Sequence, residues 1–136
     1  MANWNPSWET HVGINHVGAY QVSGQPFVSG GISPGTAEKV EFPYVTRWVV
    51  INNHSTTIGA DVKVGYSENG VKGTNYFTVL SGTSSPRLEL KVSEIWFADG
   101  SAPCNGVEIS AGLTSILPVR TSGSTGPSWS GSAGVG

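Results

Sequence analysis

Hydrophobic and polar residues alternate with the two-residue period of β-strands through most of residues 17–118. A clear example is Val62 and Val64, which alternate with Asp61 and Lys63. No window of helical length shows a sustained 3.6-residue apolar period, and at most one helical turn is expected, within residues 33–40. The pattern therefore predicts an all-β domain.

Short strand-like segments follow one another at the spacing of a sandwich or barrel, about eight or nine strands in all. The ten candidate segments, of which we expect about eight or nine to form strands, cover residues 17–22, 26–29, 38–42, 46–52, 60–66, 75–80, 87–92, 94–98, 106–111 and 113–117. The turn Glu68-Asn69-Gly70 is a hairpin signal, because Asn and Gly tolerate positive φ. We expect an antiparallel β-sandwich of the jelly-roll or Ig-like type.

The segment TRWVVIN, residues 46–52, is almost continuously apolar, which is typical of a central strand buried on both faces. We therefore place Trp48 and Val50 in the core. The other expected core residues are Val40, Phe42, Val62, Val64, Tyr66, Phe77, Val79, Leu88, Leu90, Val92, Ile95, Phe97, Val107, Ile109, Leu113 and Ile116.

The two ends differ from the middle. Residues 1–16 lack a clean period and predict an extended N-terminal arm before the β-sandwich domain at residues 17–118. Residues 119–136 read as a flexible Gly/Ser-rich C-terminal tail, since they offer too little apolar area to fold alone.

Large aromatic residues in such ends favour contact with a neighbouring subunit, because Trp is enriched at interfaces. Folding back onto the chain's own domain and stacking on a sugar are the alternatives. The predicted interface residues are Trp4, Trp8, Tyr20, Phe27 and Trp129.

Charged residues make up only 12% of the chain, and the formal net charge is −2. The seven Lys and Arg residues are dispersed, which argues against nucleic-acid binding. No apolar run is long enough to span a membrane, and the first six residues lack the features of a signal peptide. We expect neither a membrane partner nor export.

Candidate catalytic and metal-binding groups are sparse. Cys104 is the single cysteine, and its position beside Pro103 suggests a turn residue rather than a nucleophile. His11 and His16 have the wrong spacing for a metal pair on one helix or strand face, and His54 is far along the chain. Several carboxylates lie at outward strand positions beside Lys or Arg, as in cross-strand pairs. We expect no enzyme activity, metal or cofactor.

Two segments carry a resemblance to a known group. Residues 16–28, HVGAYQVSGQPFV, resemble the opening of small structural proteins of marine bacteriophages and cyanophages, which begin with a similar V-G-x-Y-Q-V-S-G-x-P-F stretch. Residues 109–116, ISAGLTSI, resemble the final strand of the same group. The likeness spans about residues 16–117, and the first 15 and last 18 residues depart from it.

The resemblance implies a non-enzymatic virion protein, namely a capsid cement (decoration) protein that bridges and stabilises capsid subunits. Such proteins are often β-rich and trimeric. The expected partners are copies of itself in a homotrimer and the major capsid protein or another virion protein. The expected location is the capsid surface, after assembly in the host cytoplasm. A tail, knob or fibre-adaptor component and a carbohydrate-binding module are the alternatives.

Overall fold

The computed structural model describes residues 25–136, which are mostly β with almost no helix. Within this part, all-β is confirmed as the fold class. The predicted strand at residues 17–22 and the N-terminal arm lie outside the described residues. The elements are β1 (Gln25–Ile32), β2 (Glu38–Glu41), β3 (Thr46–Asn53), β4 (Val62–Gly65), α1 (Glu68–Lys72), β5 (Phe77–Val79), β6 (Glu94–Asp99), β7 (Val107–Leu113) and a 3-10 helix (Pro118–Thr121).

The seven strands form two antiparallel sheets. Sheet A has the order β1-β7-β3, and sheet B has the order β2-β6-β4-β5. The central strand of sheet A, β7, and one of the two interior strands of sheet B, β6, both come from the C-terminal half of the chain. Each sheet is therefore held together by pairings between residues far apart in sequence.

Buried side chains from both sheets form one hydrophobic cluster. Sheet A contributes Val49, Ile51, Val107, Ile109, Ala111 and Leu113, and sheet B contributes Val62, Val64, Val79, Ile95 and Phe97. These residues alternate with more exposed ones along their strands, as expected for sheets that bury one face. Most of the core predicted by alternation is confirmed.

The predicted core positions in β3 are wrong by one residue. The structure buries Val49 and Ile51, whereas Trp48 and Val50 point to the opposite face and are half-buried. The reason is a bulge: Thr46 pairs with Leu113 but Trp48 pairs with Gly112, so one residue is inserted between them. A continuously apolar segment contains no alternation that could have fixed its phase.

The predicted hairpin turn at residues 68–70 is a short helix. β4 and β5 do pair antiparallel, as expected, but α1 connects them. The side chain of Ser67 caps α1 by accepting a hydrogen bond from the backbone N–H of Gly70 at 2.9 Å. Glu68 and Lys72 form an i,i+4 ion pair at 2.8 Å. These local interactions favour the helix over a two-residue turn.

Two further strand predictions fail. Residues 87–92 run beside β3 but form only an isolated bridge, Val49 with Leu88. The N–H of Ile51 donates to the hydroxyl of Ser85 rather than to a backbone carbonyl, and Pro86 has no backbone N–H to donate. Both features interrupt a regular ladder at this point. Residues 106–117 contain the single strand β7 rather than two strands.

The C-terminal segment, residues 119–136, is packed against the domain, in contrast to the flexible tail that we predicted. The Trp129 indole contacts the core cluster, and its Nε1–H donates to the carbonyl of Lys91 at 2.6 Å. The hydroxyl of Ser128 is buried against the backbone of Ser93 and Glu94. Contacts with residues 91–94 therefore supply the burial that the segment lacks by itself.

A fully buried amide links the two sheets. Asn53, at the end of β3, donates from Nδ2 to the carbonyl of Val79 in β5 at 3.1 Å and to that of Ala60 at 2.8 Å. Its Oδ1 accepts from the N–H of Ser55 at 3.1 Å. A buried polar side chain with all these partners both stabilises the structure and fixes the relative position of the elements that it joins.

Replacing this amide should destabilise the domain. Asn53→Ala leaves the carbonyls of Ala60 and Val79 without their donor, which costs about 1–3 kcal/mol for unsatisfied buried groups. Equilibrium urea unfolding measures the loss. Asn52→Ala, on the opposite and partly exposed face of β3, is the matched control. Equal losses in the two variants would contradict the role assigned to Asn53.

The packed C-terminal segment makes a second prediction. Trp129→Ala removes a large side chain from the edge of the core and should lower the free energy of unfolding by about 3 kcal/mol. Val119→Ala alters the same segment at a residue that is 67% exposed, and should change the free energy of unfolding by less than about 0.5 kcal/mol. Thermal and urea unfolding compare them. Unchanged stability in Trp129→Ala would mean that the segment is the flexible tail expected from sequence.

Candidate interaction surfaces

The outer face of sheet A exposes apolar side chains. Cross-strand pairing places Val28, Ser110 and Val50 in one row across β1, β7 and β3. The next row contains Pro26, Gly112 and Trp48. Val28 is 75% exposed, and Trp48 and Val50 are half-buried. We call this surface the Trp48 face, defined by Pro26, Val28, Trp48 and Val50.

Charged residues border the Trp48 face along the far side of β3. Arg47 lies 3.5 Å from Glu89, and Arg87 lies 2.6 Å from the same carboxylate. Exposed pairs of this kind contribute little to folding stability. An apolar centre with a charged border is the usual anatomy of a protein–protein interface.

The described residues from the predicted interface do not lie on the Trp48 face. Phe27 points to the inner side of sheet A, where its ring meets that of Phe42 edge-on with centroids 5.0 Å apart. Trp129 packs on its own chain, which is the folding-back alternative. Trp4, Trp8 and Tyr20 lie outside the described residues. Sequence reasoning missed Trp48 as a surface residue because its strand appeared buried on both faces.

A second surface is a cleft on the outer side of sheet B. Trp96 of β6 is paired with Lys39 of β2 on one side and with Gly65 of β4 on the other. Over Gly65 lies α1, so closely that a Cβ atom there would meet Val71 at 3.3 Å. The C-terminal segment covers the backbone of Glu94. Between these two covers remains a cavity of about 390 Å³, which we call the Trp96 cleft.

Both charge types are present in the Trp96 cleft. Trp96 donates from Nε1 to the Glu94 carboxylate at 2.5 Å. The Lys39 Nζ lies 5.7 Å from the centre of the Trp96 ring and 2.5 Å from Glu41. This hydrogen bond to Glu41 raises the pKa of the Lys39 ammonium above its usual value. The cleft combines an aromatic ring, an acceptor and a cation at neutral pH.

The side chains of Cys104 and His54 have surroundings that indicate structural roles. The Cys104 sulfur is buried, within hydrogen-bond distance of the carbonyls of Ala60 (3.1 Å) and Asp61 (3.0 Å). Burial raises the pKa of the Cys104 thiol, and the Asp99 carboxylate raises it further. His54 pairs with Glu108 at 3.0 Å on the surface. Among residues 25–136, no three His, Cys, Asp or Glu side chains are grouped as metal ligands would be.

No helix within residues 25–136 is both long and apolar enough to cross a membrane.

The surroundings of Cys104 make its reactivity a measure of folding. Because a thiolate is the reactive form, a buried thiol with a raised pKa should not react with iodoacetamide at pH 8 while the domain is folded. Unfolding in guanidinium chloride should allow complete alkylation, measured by intact mass. Rapid alkylation of the native protein would show that the Cys104 environment is open.

Comparison with known proteins gives no relative for this chain: no family model matches it, and no curated protein or solved structure does.

Proposed function

We propose that this chain is a non-enzymatic structural protein of a phage virion, a capsid cement (decoration) protein that bridges and stabilises capsid subunits. We further propose that its sheets stack as an antiparallel sandwich of the jelly-roll or Ig-like type. The single core cluster formed from both sheets supports this packing, as does the Asn53 link between them.

The observation that carries the functional proposal is the position of the two phage-like segments. The described part of residues 16–28 is in β1, and the first part of residues 109–116 is in β7. These two strands pair directly, with Phe27 opposite Ala111 and Val28 opposite Ser110. Segments more than 80 residues apart thus form one structural unit at the edge of sheet A. The two segments that carry the resemblance most clearly are therefore neighbours in the fold.

The β1–β7 pair also contributes to the Trp48 face, and this face could bridge the protein to a neighbouring subunit. Val28 and Pro26 lie on β1, in the same rows as the half-buried Val50 and Trp48 of β3, with β7 between them. Burying such apolar area against a neighbour yields about 25 cal/mol per Å² before the costs of association are subtracted. A homotrimer and contact with the major capsid protein at the capsid surface would both use this gain. The shell would then open only when these contacts break.

A charge placed on the Trp48 face should prevent assembly. Val28→Glu would bury an unpaired carboxylate in the proposed contact, so self-association and binding to particles lacking the protein should weaken by roughly tenfold or more. Analytical ultracentrifugation and occupancy on the particles measure the two effects.

Ile58→Glu is the matched control, because Ile58 is 96% exposed in a loop outside the Trp48 face. It should retain both assembly and occupancy. A monomeric wild-type protein, or Val28→Glu with normal occupancy, would contradict the proposed role of this face. Labelled protein found on the tail rather than the head of purified particles would favour the tail, knob or fibre-adaptor alternative.

A further inference from the structure

We infer that the Trp96 cleft binds a saccharide, with a sugar ring stacked on the Trp96 indole and its hydroxyls hydrogen-bonded to Glu94 and to side chains at the rim. This site is separate from the Trp48 face. The inference does not rest on the proposed function, since it concerns the opposite sheet and holds for any location of the protein.

The size and construction of the cleft suit a small ligand. Its volume of about 390 Å³ falls within the roughly 300–1,000 Å³ of small-molecule sites. The floor is β6, one wall is the start of α1 and the other is the C-terminal segment. The hydroxyl of Ser67 donates to the carbonyl of Val135 at 2.8 Å, which joins the two walls at one end. The walls are therefore held at a fixed separation.

The Trp96 ring is held in a defined orientation before any ligand binds. The hydrogen bond from its Nε1–H to the Glu94 carboxylate, at 2.5 Å, fixes the orientation of the indole on the regular strand β6. The ring is only partly buried and lines the cleft. An indole offers a rigid apolar surface for the C–H face of a sugar ring at little entropic cost.

The polar groups match alcohol hydroxyls, which both donate and accept hydrogen bonds. A carboxylate accepts about four hydrogen bonds, so Glu94 can bind hydroxyls while holding Trp96. The amide of Asn69 can donate and accept, and the hydroxyl of Ser130, which donates to the carbonyl of Pro127, can accept. Lys39 supplies further donors at the edge. A ligand with several adjacent hydroxyls can satisfy this mixture.

The charged side chains of the Trp96 cleft disfavour both anionic and cationic ligands. The carboxylates of Glu94 and Glu68 oppose a phosphate or sulfate group in the cleft. The ammonium of Lys39 already lies over the Trp96 ring, so a second cation at that position would be repelled. A neutral ligand with hydroxyl groups avoids both penalties, and this favours a saccharide over an acidic or basic peptide.

Nuclear magnetic resonance of the intact, ¹⁵N-labelled protein tests the inference. Glucose, galactose, mannose and N-acetylglucosamine, and the trisaccharide of each, are titrated while the indole N–H signals are followed. At least one sugar should shift the Trp96 signal saturably. The Trp129 signal, whose N–H is bonded to Lys91, should stay unchanged and serves as the internal reference.

Variants locate the binding. Trp96→Ala should abolish it, and its melting curve shows whether the domain is still folded. Asn69→Ala changes an exposed residue at the rim and should raise the dissociation constant about tenfold. This variant tests the site even if Trp96→Ala does not fold. Asn105→Ala, an exposed residue elsewhere, should bind like the wild type.

Three results would overturn the inference. One is the absence of any saturable shift up to about 50 mM of every sugar, a range that includes very weak binding. Another is sugar binding that Asn69→Ala and Trp96→Ala leave unchanged. The third is a tri-lysine peptide that shifts the Trp96 signal when no sugar does. None of these affects particle occupancy, so the cement proposal is judged separately.

Discussion

The Asn53 amide is the interaction on which the arrangement of the domain depends. Hydrophobic contact alone would let two sheets slide, because dispersion and burial have little directionality. Three hydrogen bonds from one buried side chain remove that freedom, since they join β3 to the end of β5 and to the loop before β4. The backbone of Asn53 is also paired, with Gly82 and Thr83. One residue thus sets the position of the loops at this end of both sheets.

Strands with strict alternation could be predicted from sequence, and those without it could not. Around Val62 and Val64 the pattern identifies both the strand and its inner face, as it does for Val107 and Ile109. In β3 the residues from Trp48 to Ile51 are all apolar, and the bulge that sets the phase arises from pairing with β7. The packing of residues 119–136 could not be predicted for a related reason. It depends on contacts with residues 91–94, and the local amino-acid composition contains no information about those contacts.

The candidate surfaces were harder to predict than the fold. The Trp96 cleft combines β2, the start of α1, β6 and the C-terminal segment, four parts of the chain that only the tertiary structure brings together. Sequence identified Trp96 simply as part of an apolar strand. One signal in the sequence is Gly65, whose missing side chain lets α1 lie close to the sheet beside Trp96. Its register with β6, however, is unknown until the sheet is formed.

The chain order of the strands has a consequence for biosynthesis. β1 and β3 each pair with β7 and not with each other, and β2 joins sheet B by pairing with β6. On the ribosome, these early strands emerge before the strands that join them. The β4–β5 pair is the one strand pairing within residues 25–136 that can form before β6 is made. Non-local pairing of this kind slows folding and leaves unpaired edges exposed to aggregation meanwhile. The nascent chain should therefore need protection until about residue 113 has left the exit tunnel.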